Sequence, residues 1–144
     1  MSANRFMSTI LCDDVRKEEG NKLSYMGIYG SSIVFPSLPW TVPKLCFVMS
    51  LATPADQEPP KTLAFRVLKD DDLLAEIVIP EQALLTAAGQ AQEDVARDSK
   101  RLTIGTVIQI FPLQFTASCT LKARAICDSV EIQGGSWPVE SSSP

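Results

Sequence analysis

The stretch TLAFRVLKDDDLLAEIVI, residues 62–79, decides the fold class. Its first seven residues alternate, with Leu63, Phe65 and Val67 on one face and smaller or more polar side chains on the other, which predicts a strand with one buried face. Residues 69–72 (KDDD) are typical of a tight turn, and residues 73–79 (LLAEIVI) alternate again, so the stretch predicts a β-hairpin. The buried face of the returning strand is predicted to carry Leu73, Ala75, Ile77 and Ile79.

The rest of the chain carries further short strand patterns separated by turn residues. Residues 80–90 (PEQALLTAAGQ) predict one helix, because Pro80 suits a first helical position and Gly89 is a common terminator. The polar residues 91–101 predict a loop. About eight strands with one short helix predict an all-β fold, an antiparallel immunoglobulin-like or C2-like β-sandwich. The other predicted strands are residues 8–15, 22–29, 33–35, 44–52, 102–111 and 113–127.

The chain length of 144 residues predicts a single domain with a hydrophobic core. We place this β-sandwich domain at residues 1–133. Residues 134–144 (GGSWPVESSSP) are rich in Gly, Ser and Pro, a composition that predicts a flexible tail.

Composition and charge argue against several classes of function. The net charge is −4 and the sequence pI is about 4.8, which disfavours binding to nucleic acid. No apolar run approaches the roughly 20 residues that cross a bilayer, and the N-terminal residues do not resemble a signal peptide, so we predict a cytoplasmic protein with no membrane partner. The sequence has no histidine, the commonest general base and metal ligand. We therefore expect no enzymatic activity, no catalytic residue, no cofactor and no metal site.

Cys-Asp occurs twice, as Cys12-Asp13 near the start and Cys127-Asp128 near the end. Because neighbouring residues on a strand face opposite sides, we interpret each cysteine as a buried core residue and each aspartate as a turn former. An adjacent carboxylate raises the pKa of a thiol, which argues against a reactive thiolate. A thiol-based redox protein is kept as an alternative.

The turn residues Asp70, Asp71 and Asp72 raise a second alternative, a calcium-dependent ligand-binding sandwich. Calcium takes six to eight oxygen ligands, usually from several loops. Three aspartates at one hairpin tip supply too few by themselves, so we favour a solvated turn.

The segment FPSLPWTV, residues 35–42, is the predicted contact surface. Its prolines stiffen it, so little conformational entropy is lost when a partner binds, and aromatic side chains are favoured interface anchors. We therefore predict a non-enzymatic protein-binding or self-assembling module, with a protein partner or a homodimer formed through exposed strand edges. The alternative is that the segment closes one end of the sandwich and Trp40 caps the core. The predicted partner-binding residues, which we expect to be exposed, are Phe35, Leu38 and Trp40, with Tyr29 in support.

Two stretches resemble a known family. CDDVRKEEGNKLSYMGIYG at residues 12–30, followed by FPSLPWTVPKLCFVMSL at residues 35–51, resembles a bacterial family of small β-sandwich proteins of unknown function. That family opens with a Cys-Asp strand and a Gly/Lys-Leu-Ser segment leading to a Gly-hydrophobic-aromatic turn, which here is Gly27-Ile28-Tyr29. The resemblance implies the sandwich fold and no catalytic residue, and it is compatible with a prokaryotic or phage accessory role.

Overall fold

The computed structural model of the chain describes residues 5–96 and 101–143, with the side chains of residues 91–96 excepted. Within those ranges the chain forms eleven strands and one helix. In chain order they are β1 (Phe6–Glu18), β2 (Lys22–Ile28), β3 (Ile33–Phe35), β4 (Trp40–Val42), β5 (Leu45–Pro54), β6 (Leu63–Lys69), β7 (Asp72–Val78), α1 (Glu81–Ala96), β8 (Arg101–Ile110), β9 (Leu113–Phe115), β10 (Cys119–Cys127) and β11 (Val130–Ser141).

Two sheets face each other across the core. The four-stranded sheet has the order β2-β1-β5-β8, and the five-stranded sheet has the order β3-β11-β10-β6-β7. Neighbouring strands in both sheets pair antiparallel, except that β3 and β11 run parallel. Strands β4 and β9 form a separate two-stranded ribbon. The prediction of an all-β, sandwich-like fold is confirmed, while the immunoglobulin-like or C2-like subtype stays a prediction.

The core lies between the two sheets, and alternate side chains of the strands enter it. In β5 the ring of Phe47 is fully buried and meets the ring of Trp137 from β11 edge on, with the ring centroids 5.9 Å apart. The predicted alternation of β6 is confirmed, since its inward residues Leu63, Phe65 and Val67 are at most 2% exposed.

The returning strand β7 departs from simple alternation. The register between β6 and β7 shifts between Val67 and Leu68, which indicates a β-bulge. A bulge changes which side chains face the core. Leu74 therefore packs against the core, and Leu73 is 54% exposed. The prediction that Leu73 faces the core is wrong, whereas the other three residues predicted on that face do pack against it.

Helix α1 is longer than the sequence predicts. It follows Pro80 and runs to Ala96, so Gly89 does not end it. A glycine inside a helix costs about 1 kcal/mol relative to alanine, and the alanine, glutamine and glutamate residues that follow it are good helix formers. The predicted loop is therefore wrong for residues 91–96, and residues 97–100 lie outside the described residues. Leu84 anchors the helix because its side chain is buried in the core.

Strand β11 occupies most of the predicted tail. Residues 134–141 form the last eight of its twelve residues, and Trp137 among them is buried. Gly134 and Gly135 lie where β11 closely approaches β1. A Cβ atom on Gly134 would lie 2.7 Å from Cγ2 of Thr9, and the amide of Gly135 donates a 2.9 Å hydrogen bond to Oγ1 of Thr9. The prediction of a flexible tail is therefore wrong for residues 134–141, because these glycines serve close packing.

The β1–β2 hairpin bends back over the outer face of the four-stranded sheet. At the bend, Gly27 has a φ of 67° and lies against the carboxylate of Asp13. Beyond the bend, Leu23 and Tyr25 line a groove of about 340 Å³ together with residues of β1, β5 and β8. The residues that β1, β5 and β8 contribute to the groove are Ser8, Ile10, Val48, Met49, Ser50, Gly105, Thr106 and Val107.

Cys12 and Cys46 lie beneath this bend. They are cross-strand partners on β1 and β5, both are fully buried, and neither belongs to the core cluster between the sheets. The Cys12 thiol lies 3.5 Å from the carbonyl oxygen of Asp14, and the Cys46 thiol lies 3.7 Å from that of Asp13. The hairpin therefore covers these two thiols. The expectation that Cys12 is buried is confirmed. It lies outside the core cluster between the two sheets, beneath the β1–β2 hairpin.

Candidate protein-binding groove

The predicted contact segment folds into an aromatic stack beside the β4–β9 ribbon. Trp40 is the register partner of Phe115 across the ribbon. The ring of Phe35, at the end of β3, lies 5.6 Å from the Trp40 ring at an interplanar angle of 12°, and 5.5 Å from the Phe115 ring. The stack connects β3, β4 and β9, and it fixes the position of the Trp40 indole.

The predicted contact residues differ in exposure. Trp40 is 38% exposed, whereas Phe35 is only 7% exposed, so the expectation of an exposed Phe35 is wrong. Phe35 belongs to the core cluster and supports Trp40 from below, and the half-buried Leu38 packs against the same cluster. Trp40 thus stacks on the core residue Phe35 and keeps part of its ring accessible.

A groove of about 350 Å³ runs beside the exposed part of Trp40. It brings together three of the four predicted residues, Tyr29, Phe35 and Trp40, while Leu38 is not among its lining residues. Its volume is at the low end of the range of about 300 to 1,000 Å³ that is common for ligand pockets. The remaining lining residues are Asp13, Val42, Pro43 and Lys44.

Tyr29 and Asp13 supply polar groups to the groove. The Tyr29 hydroxyl donates a 2.8 Å hydrogen bond to Oδ1 of Asp13, and the Tyr29 amide donates to the carbonyl oxygen of Leu11. Burial raises the pKa of Tyr29 well above its usual value, and the hydrogen bond to Asp13 raises it further. Tyr29 is therefore a protonated donor across the physiological pH range and orients the Asp13 carboxylate.

Lys44 lines the groove, but its ammonium group is paired with Asp14. Its ammonium group lies 2.6 Å from Oδ1 of Asp14, and Arg16 lies 4.0 Å from the other oxygen of that carboxylate. The hydrogen bond from Lys44 lowers the pKa of Asp14, and the same bond raises the pKa of Lys44. The charge of Lys44 is thereby compensated by Asp14 rather than by Asp13.

Sequence reasoning missed Asp13 and Lys44 as members of the groove. The interpretation of Asp13 as a turn former is wrong, because its carboxylate accepts a hydrogen bond from a tyrosine hydroxyl and not from a backbone amide. A partial signal for this role was present. Asp13 follows the core residue Leu11 by two positions within β1, so strand alternation places both on one face. A carboxylate on such a face needs a polar partner, which the Tyr29 hydroxyl supplies.

The second Cys-Asp pair matches its structural interpretation. Asp128 and Ser129 have φ values of 49° and 67° and form the turn between β10 and β11. Oδ1 of Asp128 accepts hydrogen bonds from the amides of Lys61 and Thr62, each 2.9 Å long. Cys127 is buried in the core. The two Cys-Asp pairs therefore occupy different environments and do not form one site.

The four cysteines are free thiols. Burial is the main cause that raises the pKa of each of them, Cys12, Cys46, Cys119 and Cys127. A raised pKa lowers the fraction of thiolate, the reactive form. These environments give no support to the thiol-based alternative.

The aspartates of the β6–β7 turn have local partners. Oδ1 of Asp70 accepts a 3.0 Å hydrogen bond from the amide of Thr120, and Asp71 lies 3.5 Å from the ammonium of Lys122. In residues 5–96 and 101–143, as far as side chains are described, no group of three or more His, Cys, Asp or Glu residues is placed to hold a metal ion. The calcium alternative therefore gains no support.

The fold and the groove define a class, an all-β, sandwich-like protein with an aromatic groove beside a two-stranded ribbon. The chain belongs to a family of unknown function, DUF6941, whose family model matches residues 7–139. This assignment confirms the predicted resemblance to a family of unknown function. Among curated proteins no match was found. The described part of the chain contains no helix that is both long and apolar enough to span a bilayer.

Proposed function

We propose that this chain is a non-enzymatic module that binds a segment of another protein in the groove beside Trp40. The observation that carries the proposal is the Phe35–Trp40 stack, because it holds a partly exposed indole rigidly at the rim of a groove. An anchor that is already ordered loses little entropy on binding, and tryptophan is enriched among the residues that dominate binding energy.

The lining of the groove supports recognition of a protein segment. Tyr29 and Asp13 supply polar groups to the groove, and Val42 and Pro43 supply apolar surface. Fixed polar groups in an otherwise apolar pocket orient a ligand and provide specificity.

The test is affinity capture with an N-terminally tagged chain from a lysate of the source organism, quantified by mass spectrometry. Wild type is compared with Trp40→Ala and with the matched control Val130→Ala. Val130 is 62% exposed and lies at the start of β11, roughly 35 Å along the strand from its other end beside Phe35. We expect wild type and Val130→Ala to capture the same proteins, and Trp40→Ala to lose them, since an interface anchor contributes about 2 kcal/mol or more.

Two outcomes contradict the proposal. The first is equal capture by Trp40→Ala and wild type. The second is a Trp40→Ala variant whose thermal unfolding transition collapses, because Trp40 would then act as a cap of the core. Circular dichroism melts of all three proteins distinguish the second outcome from a folded protein that has lost its partner.

Self-assembly into a homodimer and a cytoplasmic location belong to the same proposal. Light scattering after size exclusion tests the first, since a dimer that becomes monomeric in Trp40→Ala places a second copy of the chain in the groove. The four free thiols support the second, because thiols persist in the reducing cytoplasm.

A further inference from the structure

We infer that the groove beside Trp40 recognises an arginine side chain of the partner, which stacks on the Trp40 indole and pairs with the Asp13 carboxylate. This inference rests on the proposed function and names the chemistry of its partner. Its basis is that the Asp13 carboxylate, which forms no ion pair with a described residue, and the exposed Trp40 ring line the same groove.

The aromatic half of the site is preorganised for a cation. The Phe35 ring is stacked almost parallel under the Trp40 ring, at 12°, so the indole cannot rotate freely, and 38% of Trp40 remains exposed. A guanidinium group over an indole face gains a cation–π attraction, for which tryptophan is the best of the aromatic side chains. The planar guanidinium also stacks on such a face better than a compact ammonium group does.

The anionic half of the site is Asp13. Its carboxylate is exposed and accepts the hydroxyl proton of Tyr29. Among the described residues, no lysine or arginine forms an ion pair with it. A neutral donor such as the Tyr29 hydroxyl orients a carboxylate and leaves its negative charge uncompensated. Asp13 therefore presents a fixed charge that an incoming cation can neutralise.

The neighbouring charges allow a cation to enter. Lys44 is the cation closest to the groove, but its ammonium is bonded to Asp14, which Arg16 also approaches. The hydrogen bond to Asp14 also raises the pKa of Lys44, so its ammonium charge is already paired with a carboxylate other than Asp13. The whole chain carries a net charge of −4, so its long-range field also attracts a basic partner.

The experiment follows the two tryptophan indole N–H signals in an NMR titration with the peptide acetyl-Gly-Arg-Gly-amide. The control peptide carries citrulline, which keeps the planar shape of arginine and removes its charge. Trp40→Phe assigns the Trp40 signal, and the buried Trp137 serves as the internal reference. We expect the Trp40 signal to shift with saturation in the range of about 1 to 10 mM, and the citrulline peptide to leave it in place.

Two variants with the same change of net charge locate the interaction. Asp13→Asn keeps an oxygen that accepts the Tyr29 hydroxyl and removes the charge, and it is expected to weaken the arginine peptide about five- to tenfold. Asp71→Asn, at the β6–β7 turn, is the matched control and is expected to bind like wild type. An unshifted Trp137 signal verifies that each variant is folded.

The inference is overturned if the citrulline peptide shifts Trp40 as strongly as the arginine peptide does. It is also overturned if Asp13→Asn and Asp71→Asn bind alike, or if no shift of the wild-type Trp40 signal is seen up to about 20 mM peptide. The citrulline comparison needs only the wild-type chain, so it tests the requirement for the arginine charge even if Asp13→Asn fails to fold. Partners captured through Trp40 but retained by Asp13→Asn would leave the proposed function standing and remove arginine recognition.

Discussion

Gly27 determines the position of Asp13, which lines the groove beside Trp40. Gly27 adopts a φ of 67°, and a Cβ atom at that position would lie 2.8 Å from Cγ of Asp13. Both the backbone conformation and the contact therefore require glycine. Moving Asp13 would also move the acceptor of the Tyr29 hydroxyl.

We predict that Gly27→Ala destabilises the protein by about 1 to 3 kcal/mol, because a left-handed conformation and a clash are both imposed on a residue with a Cβ atom. The measurement is urea unfolding followed by circular dichroism. Gly30→Ala is the matched control, since a Cβ atom at Gly30 meets nothing within 4 Å. Equal stabilities of the two variants would show that the bend tolerates a side chain.

The Asp14–Lys44 pair predicts a pH dependence. Lys44 lowers the pKa of Asp14 below 3.8 in the folded state, so the folded protein binds the proton less readily than the unfolded chain. Stability from this pair is present above the unfolded pKa and is lost as the pH falls through the lowered folded pKa. We expect Asp14→Asn to show a flatter decline in stability than wild type between about pH 5 and pH 2, measured by urea midpoints. Asp56→Asn, an exposed residue of the β5–β6 loop, should follow the wild-type curve.

At the scale of elements, the β1–β2 hairpin acts as a cover for one face of the four-stranded sheet. Tyr25 on β2 lines a groove together with residues of β1, β5 and β8, and Cys12 and Cys46 lie beneath the bend of the same hairpin. The accessibility of these thiols therefore reports whether the hairpin is closed.

We predict that Tyr25→Ala increases the alkylation rate of Cys12 and Cys46 about 5- to 30-fold, as expected if about 1 to 2 kcal/mol of packing is lost. The rates are read residue by residue by mass spectrometry after iodoacetamide treatment. Cys127 provides the internal control, because it lies in the core between the sheets and its rate should not change. Leu73→Ala, which removes an exposed side chain of β7, should leave all four rates at their wild-type values.

Local sequence patterns determine some of the elements, and tertiary neighbours determine others. The β6–β7 hairpin was predictable because its period-two pattern and turn residues are local properties of the chain. The bulge that exposes Leu73 and the strand at 134–141 were not predicted, because neighbouring strands decide them. The helical residues 91–96 were missed because glycine is a common helix terminator, although the residues after Gly89 are good helix formers. The groove was predicted in part. Its aromatic residues are close in sequence, whereas Asp13 reaches them only through the pairing of β1 with β2 and β5.

In the molecule as a whole, β11 joins strands of the five-stranded sheet to each other and packs against the opposite sheet. It pairs with β10 along most of its length and with β3 at its end, and it brings Trp137 against Phe47 of the opposite sheet. Because β3 leads into the aromatic stack, the position of Trp40 also depends on this strand.

We predict that a chain ending at residue 133 does not fold cooperatively, because it lacks Trp137 and Val139 of the core. Trp137→Ala in the full chain should cost about 3 to 5 kcal/mol. Thermal melts and the dispersion of NMR signals measure both effects. A chain ending at Ser141 is the control and should keep a cooperative transition, since β11 is then complete. A sharp melt of the 133-residue chain would contradict this account of β11.

The parallel pairing of β3 with β11 determines where a fused tag would emerge. The amide of Ser142 donates to the carbonyl oxygen of Phe35, and the hydroxyl of Ser143 donates to that of Pro36 at 2.8 Å. A reporter or purification tag joined after Ser143 would emerge next to Trp40, at the rim of the groove, and would obstruct incoming ligands. Arg5 instead lies near Asp128 and Thr53, beside the turn where β11 begins, so a handle placed before it keeps the rim clear.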